Sequence, residues 1–350
     1  MREIQVTASH SYRVVIGSSV LQNLGSEIAK LYAPGKAVIV SDSNVWPLYG
    51  NTVKSSLHDA GYSVSHYTFP AGEQSKCADT YLRILDFIAG EHLTRSDILI
   101  ALGGGVVGDI TGFTAATYLR GISYVQVPTT LLAMVDSSVG GKTAIDLPAG
   151  KNLVGAFYQP DLVLCDIDAL SSLPDSVFRD GCAEVIKYGI LFDQELFEHL
   201  EKHGLGFNRE DVIARCVELK RDVVHQDEFD TGCRQKLNLG HTLGHGIEAC
   251  SDFTVTHGQA VAIGTALIAR AACQQNICAP SVRDRIVKIL TEFNLPTCTQ
   301  YPPESLFQFA LSDKKRTGKT VSLILPQDIG DCTIFPVSVE NLLSFIKAGF

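Results

Sequence analysis

The stretch "DILIALGGGVVGDI" (97–110) decides how the rest of the chain is read. Its first half is a continuous apolar run of strand length. The next residues, "TGFTAATYL" (111–119), have helical spacing. Between strand and helix Gly103, Gly104, Gly105, Val106, Val107 and Gly108 satisfy G-x-G-x-x-G in the strand–turn–helix context that gives this motif meaning. Glycine there lets the backbone approach a pyrophosphate, and the helix N-terminus offers free N–H groups at the positive end of its dipole. A tight structural turn is the plainer alternative; the flanking elements favour a nucleotide. One part departs from the usual fingerprint, which has an acid ~20 residues on for the ribose. Positions 121–132, "GISYVQVPTTLL", contain none. Asp42 with Asn44, just past "KAVIV" (36–40), is the better ribose candidate. The phosphate loop and the adenosine end then come from non-successive strands, a Rossmann-like arrangement with altered order.

Outward from this unit, "KAVIVSDSNV" (36–45), "GISYVQVPTTLL" (121–132) and "DLVLCDI" (161–167) are further β-rich runs alternating with helical segments. That pattern argues a parallel sheet covered on both faces. Two candidate antiparallel strands, "EIQV" and "YRVVIG", open the chain. After about residue 170 helical periodicity takes over, near 176–192, 208–227, 239–250, 258–275 and 280–294, and a short β pair, "VSLILP" and "CTIFPV", comes near the end. The expected fold is an α/β N-terminal domain with a Rossmann-like, mostly parallel sheet plus a mainly α-helical C-terminal domain. The expected domains are 1–170 and 171–350, with the boundary inside 157–178. Ligands favour clefts between domains, so loops from both halves are expected to build the site.

Composition limits the function classes. The 350 residues are 45% hydrophobic and 19% charged, the balance of a compact protein. A net charge of −9 argues against a general nucleic-acid surface. Ten cysteines lie between Cys77 and Cys332 with no C-x-x-C pair, and Arg2 and Glu3 precede strand-like residues instead of a leader's apolar run. The expectation is a cytoplasmic protein with reduced thiols, no membrane span and no nucleic-acid partner.

In "LNLGHTLGHGIEA" (237–249), His241 and His245 stand four apart, on one face of a helix. A zinc protease uses that spacing in H-E-x-x-H, but Thr242, Leu243 and Gly244 supply no acid between them. Seven other histidines, His10, His58, His66, His92, His199, His203 and His225, sit in polar surroundings and read as surface. His257 in "VTHGQAVAIG" precedes a new helix. In "DGCAEVIKYGI", Glu184 and Lys187 stand three apart among apolar residues. A surface ion pair is the bland reading; the functional one makes Glu184 a metal ligand and Lys187 the neighbour of a bound anion. One Glu and two His leave a zinc position open for catalysis, whereas all four groups would close it. That arithmetic points to a different task for one histidine.

Cations also fall in glycine-rich or polar loops: Arg120, Lys142, Lys151 beside Asn152, Lys187, Lys220, Arg234, and Lys314 with Lys315. Singly each reads as a solvated charge. Jointly they suit a substrate with more than one anionic group, arginine matching a carboxylate and lysine a phosphate.

Together these stretches resemble one family over nearly the whole chain, the 3-dehydroquinate synthases. The resemblance rests on "PAGEQSK", "GGGVVGD", "RGISYVQVPTTLLAMVDSSVGGKTAID", "GKNLVGAFYQP", "AEVIKYG", "LNLGHTLGHGIE", "HGQAV" and "DKK", in that order. It implies NAD, a divalent metal (zinc, with cobalt or iron as substitutes) and a homodimer. By the resemblance Glu184, His241 and His257 hold the metal. NAD falls to Asp42, Asn44, Ala71, Gly72, Glu73, Gln74, Ser75, Lys76, Gly104, Gly105, Val106, Val107, Gly108, Asp109, Thr129, Thr130, Asp136, Lys142 and Lys151. The substrate phosphate falls to Lys142, Asn152, Asn238, His245 and Lys314, with Arg120 donated across the dimer, and Lys187 completes the catalytic group. Lys220 and Arg234 take the carboxylate. Many members carry a "CLKT"-like stretch near the cofactor where this chain reads "ALSS" (169–172), a departure that bears on NAD affinity and not on the chemistry.

The implied reaction converts 3-deoxy-D-arabino-heptulosonate 7-phosphate into 3-dehydroquinate and phosphate, the second step of the shikimate pathway. It runs by transient oxidation at C5 with NAD, β-elimination of phosphate, reduction, ring opening and intramolecular aldol closure. The rivals are an aminodehydroquinate synthase or another sugar-phosphate cyclase, a metal-dependent polyol dehydrogenase, and an inactive NAD-binding protein. Arg234 argues against cyclases whose substrates lack a carboxylate.

Overall fold

Apolar runs become strands here because both faces of the main sheet are covered. In this computed structural model, which describes residues 1–312, 316–317 and 319–350, the elements in chain order begin β1 (Arg2–Val6), β2 (Tyr12–Gly17), α1 (Leu24–Ala29), β3 (Lys36–Asp42), α2 (Trp46–Asp59) and β4 (Ser63–Phe69). Next come α3 (Ala78–Gly90), β5 (Ile98–Gly103), α4 (Gly105–Thr117), β6 (Ser123–Pro128), β7 (Lys142–Leu147), β8 (Gly150–Phe157) and β9 (Leu162–Asp166). Helices α5 (Asp175–Phe192), α6 (Gln194–His203), α7 (Arg209–Gln226), α8 (His241–Cys250), α9 (His257–Gln274), α10 (Pro280–Glu292) and α11 (Pro303–Ser312) come after them. The chain ends with β10 (Arg316–Thr317), β11 (Thr320–Asp328), β12 (Asp331–Ser338) and α12 (Val339–Lys347).

The chain forms two compact units, Met1–Leu173 with Arg209–Phe229, and Pro174–Asn208 with Asp230–Phe350. Helix α7, which a division at 170/171 assigns to the C-terminal half, therefore packs with the first unit. It buries an apolar face that includes Val212, Ile213, Val217 and Val224, and Glu228 just beyond it accepts hydrogen bonds from Ser9 N and Oγ at 2.7 and 2.6 Å and from Gln159 Nε2 at 2.8 Å.

In the first unit seven strands run β1-β2-β9-β6-β5-β3-β4, all neighbours parallel except β1 and β2. Alternate residues feed opposite cores. Ala37, Ile39, Ile98, Ile100 and Leu102 join one, whereas Val38, Val40, Leu99 and Ala101 join the other. A strand buried on both faces needs no polar positions, hence the unbroken runs. The expected fold class holds, with two additions. Edge strand β4, "SVSHYTF", is half-exposed and too polar to stand out, and the β7–β8 hairpin is built from residues that read as loop.

From β3 the chain steps to β4 on one side, then crosses to β5 on the other. The order reverses between β3 and β5, so the crevice at their carboxyl ends is a topological switch point, where α/β sheets bind ligands. Asp42 ends β3 and Gly103 ends β5.

The second unit is mainly helical, with β10, β11 and β12 in one antiparallel sheet. Two glycines set the spacing of its central helices. A Cβ on Gly264 of α9 would lie 2.1 Å from the Gly240 carbonyl oxygen, and one on Gly258 would lie 2.0 Å from that of Asp180. Only glycine lets α8 and α5 approach α9 so closely. The first turn of α9 is fixed by a capping box between Thr256 and Gln259, and Asp180 Oδ1 accepts from Gln259 N at 3.1 Å. Among the described residues, no helix is long and apolar enough to cross a membrane.

Candidate active site

The glycine-set contacts bring three helices to one point. Glu184 of α5 is fully buried, His241 opens α8 and His257 opens α9. Glu184 Oε1 lies 3.6 Å from His241 Nε2 and 3.5 Å from His257 Nε2. A tetrahedral zinc with bonds of about 2.0–2.1 Å places its ligand atoms roughly 3.3 Å apart. The two separations therefore fit one small cation, and the candidate ligand atoms of all three residues lie within 4.8 Å of one another. Glu184 Oε2 is turned to Lys187, which is 2% exposed. His241 Nδ1 lies 3.0 Å from the Leu239 carbonyl, which as acceptor leaves Nε2 with its lone pair toward Glu184.

His257 is more constrained still. Burial alone would lower its pKa, but the Glu184 and Glu248 carboxylates outweigh this and push it up to about 10. His245, one turn along α8, is exposed, its ring centroid 5.5 Å from that of His241.

Arg234 is fully buried, and Asn238 Nδ2 donates to the Gln235 carbonyl at 3.1 Å. Lys314 and Lys315 lie outside the described residues. Of the seven histidines read as surface, six are exposed and His199 is half-buried. The ten cysteines are free, and only Cys298 is exposed.

In the first unit the glycine loop opens α4 at the switch point. Gly104 and Gly105 leave the backbone bare; a Cβ there would first meet Thr130 Cγ2 at 3.2 Å and Ser137 Oγ at 3.1 Å. A Cβ on Gly108 would instead meet Gln126 Oε1 of β6 at 2.7 Å, so the close helix-to-strand contact is one that a third motif glycine permits. Thr129 is 2% exposed, and its Oγ1 has no hydrogen-bond partner among the described residues. A buried hydroxyl left this way suits a bound ligand. Its neighbour Thr130 accepts from Ala133 N at 3.2 Å. Asp42 Oδ1 accepts from Asn44 N and Val45 N at 2.8 and 2.9 Å, which fixes the turn into α2.

A second charged cluster lies in the same unit. Lys76, 4% exposed, meets Asp109 Oδ2 and Asn152 Oδ1, both at 2.6 Å. Glu73 Oε1 lies 4.0 Å from Lys76 Nζ and 3.6 Å from Lys151 Nζ. Burial works against the Lys76 charge, yet Asp109 and Glu73 hold its pKa above the ordinary lysine value. The loop before it is pinned by Ala71 N donating to Ser43 Oγ at 3.0 Å and Ser75 Oγ to the Pro70 carbonyl at 2.6 Å, with Gly72 at φ 121° and its neighbour Gln74 between them. Lys220 of α7 donates to the carboxylate and, at 2.7 Å, the carbonyl of Asp136. Lys142 opens β7 and is exposed, as is Arg120, which takes φ 65°.

Two groups escape a reading of the sequence. Glu248, 2% exposed, lies three residues after His245 and seven after His241, and that spacing is a usable signal. Asp146 accepts from Asn152 N at 2.8 Å, in a hairpin that carries no strand signal.

The profile of the 3-dehydroquinate synthase N-terminal domain matches residues 66–180, and that of the C-terminal domain matches 181–316. The chain belongs to the 3-dehydroquinate synthase family. Among its relatives, the 3-dehydroquinate synthase of Pelobacter propionicus is 44% identical over 346 residues, covering 96% of each chain. That of Enterococcus faecalis is 41% identical over 345 residues, covering 97% of this chain and 96% of its own. A solved 2-deoxy-scyllo-inosose synthase, complexed with carbaglucose-6-phosphate, NAD+ and Co2+, superposes with a TM-score of 0.90 at 25% identity over all of both chains. The 2-epi-5-epi-valiolone synthase of Streptomyces hygroscopicus, with NAD+ and Zn2+ bound, does so with 0.90 at 26%, covering 100% of this chain and 98% of its own. A glycerol dehydrogenase from Schizosaccharomyces pombe, at 17% identity and TM-score 0.68, shares the fold. Within the 3-dehydroquinate synthase family, the "ALSS" stretch of this chain puts Ser172 Oγ 2.6 Å from the Tyr49 hydroxyl, which also donates to the Ala169 carbonyl at 3.1 Å.

Proposed function

We propose that this chain is a 3-dehydroquinate synthase, releasing phosphate from 3-deoxy-D-arabino-heptulosonate 7-phosphate and closing the carbocycle of 3-dehydroquinate. The observation that carries the proposal is the buried Glu184 oxygen facing two imidazole nitrogens at 3.5–3.6 Å in a chain of this family. When bound, a divalent metal supplies Lewis acidity at the C5 hydroxyl and NAD a reversible hydride acceptor. Glu184, His241 and His257 would hold the metal. The glycine loop, with Asp42, Thr129 and Thr130, would hold NAD at the switch point.

The other roles divide between the two units. In the first, Lys142 neutralises the phosphate while Asn152 hydrogen-bonds it, and Lys220, held by Asp136, faces the carboxylate. In the second, Asn238 and His245 hydrogen-bond phosphate oxygens, Arg234 takes the carboxylate through its planar fork, and Lys187 fixes the orientation of Glu184. Positioning a flexible sugar is their main contribution. The enzyme works as a homodimer, with Arg120 donated by the second copy, in the cytoplasm.

The test supplies the heptulosonate phosphate, zinc and a catalytic amount of NAD. Phosphate released in excess of NAD, with no accumulation of NADH, is the expected result. Stoichiometric NADH without phosphate would make the chain a dehydrogenase. Light scattering on a sizing column reads the dimer.

A further inference from the structure

Glu248 is a buried carboxylate without an assigned role in this reaction. It lies on α8, on the same face as His241 and His245, and is 2% exposed. A carboxylate taken out of water at that depth requires a cation or hydrogen-bond donors. One group it faces is His257: Glu248 Oε2 lies 3.6 Å from Nδ1, on the ring edge opposite the one turned to Glu184. The two carboxylates thus read the two nitrogens of one imidazole.

We infer that Glu248 is a positioning residue, which accepts the Nδ1–H of His257 and so presents the Nε2 lone pair to the metal. The inference rests on the metal site proposed above. A neutral imidazole carries one ring proton, and the nitrogen that keeps it cannot bind the metal. With Glu248 at Nδ1, the ligating tautomer and the ring orientation are set together. His241 reaches the same end differently, through its contact with the Leu239 carbonyl. The two metal histidines are thereby unequal: one is backed by a neutral carbonyl, the other by a carboxylate that raises its basicity.

His245, Glu248 and His257 also place ligand atoms within 4.8 Å of one another, which defines the competing role for Glu248, as ligand of a second ion. Geometry weighs against it, because that arrangement requires His257 to surrender the Nδ1 proton and bridge two cations.

The experiment is a competition titration of full-length protein with a chromophoric chelator for Zn2+ or Co2+, on wild type, E248Q, E248D and H241A. One tightly bound ion per wild-type chain, lost in H241A, tests the underlying site; no ion in wild type would overturn that site. With the site in place, E248Q is expected to bind metal 10–100-fold more weakly, E248D to recover part of the loss, and the Co2+ spectrum of E248Q to shift. Circular dichroism of the metal-free variants checks folding, and affinity is counted on folded protein alone. Wild-type affinity in folded E248Q would overturn the inference. So would two ions in wild type falling to one in E248Q, which would make Glu248 a ligand.

Discussion

Glu184 Oε1 lies 3.5 Å from Nε2 of His257. In the metal-free protein that contact, with Glu248 on the other nitrogen, keeps the imidazole protonated, and its pKa stands at about 10. The ordinary unfolded value is about 6.5. The folded pKa is the higher one, so the stability this proton confers is fully present below about pH 6.5 and is lost as pH rises through about 10. A metal needs the neutral imidazole and displaces the proton. Metal affinity is therefore expected to rise toward tenfold per pH unit between about pH 6.5 and 9, while the metal-free melting temperature falls. Chelator-buffered titrations and thermal melts across that range check both trends. An affinity independent of pH would contradict them.

The two histidines of α8 separate by position. His241 is buried with Nε2 3.6 Å from Glu184, and His245 is exposed. H241A is expected to leave the protein folded but without bound metal after dialysis. H245A should keep one metal per chain while kcat falls by about 100-fold or more, the size of effect expected when a group acting on the reacting phosphate is removed. Metal analysis beside steady-state kinetics reads the split; equal metal loss in both variants would refute it.

How far the sequence carries is visible in these same residues. The parallel sheet and the helical second unit are legible because doubly buried strands and amphipathic helices leave strong periodicities. The G-x-G-x-x-G loop, Glu184 and the histidines are legible as motifs. The features that stay hidden depend on tertiary contact. The distance at which Gly258 and Gly264 let α9 approach its neighbours has no local signature. The β7–β8 hairpin that places Asn152 2.6 Å from Lys76 is largely exposed and reads as loop. Asp42 stands out as a ribose candidate, but that its strand adjoins the glycine loop's strand is a fact of topology. Glu248 is easily overlooked because its partner is on another helix.

The Lys76–Asp109 pair makes the first unit sensitive to one substitution. Both groups are largely withdrawn from water and meet at 2.6 Å. Replacing Lys76 leaves the Asp109 carboxylate buried without its ion-pair partner, a loss of about 3–5 kcal/mol, whereas replacing both by apolar or neutral groups of similar volume is milder. K76M is expected to lower unfolding stability by about 3 kcal/mol and K76M/D109N to recover part of it. Denaturant unfolding of the single and double variants measures this coupling. Additive losses would mean that the pair is not energetically linked.

Gly264 tests whether helix spacing builds the metal site. A Cβ there would sit 2.1 Å from the Gly240 carbonyl oxygen, and Gly240 directly precedes His241. Backbone cannot rotate away as a side-chain tip can, so α8 must move. G264A is expected to cost about 3 kcal/mol of stability, at the upper end for overpacking by one methyl group. It should also weaken metal binding in the protein that remains folded, because His241 moves with the start of α8 while Glu184 stays on α5. Gly206 is the matched control in the same unit, with nothing within 4 Å of its Cβ position. G206A should leave both stability and metal affinity near wild type. If G264A lowers the melting temperature but binds zinc as tightly as G206A, the approach of α8 to α9 serves packing alone and does not set the ligand geometry.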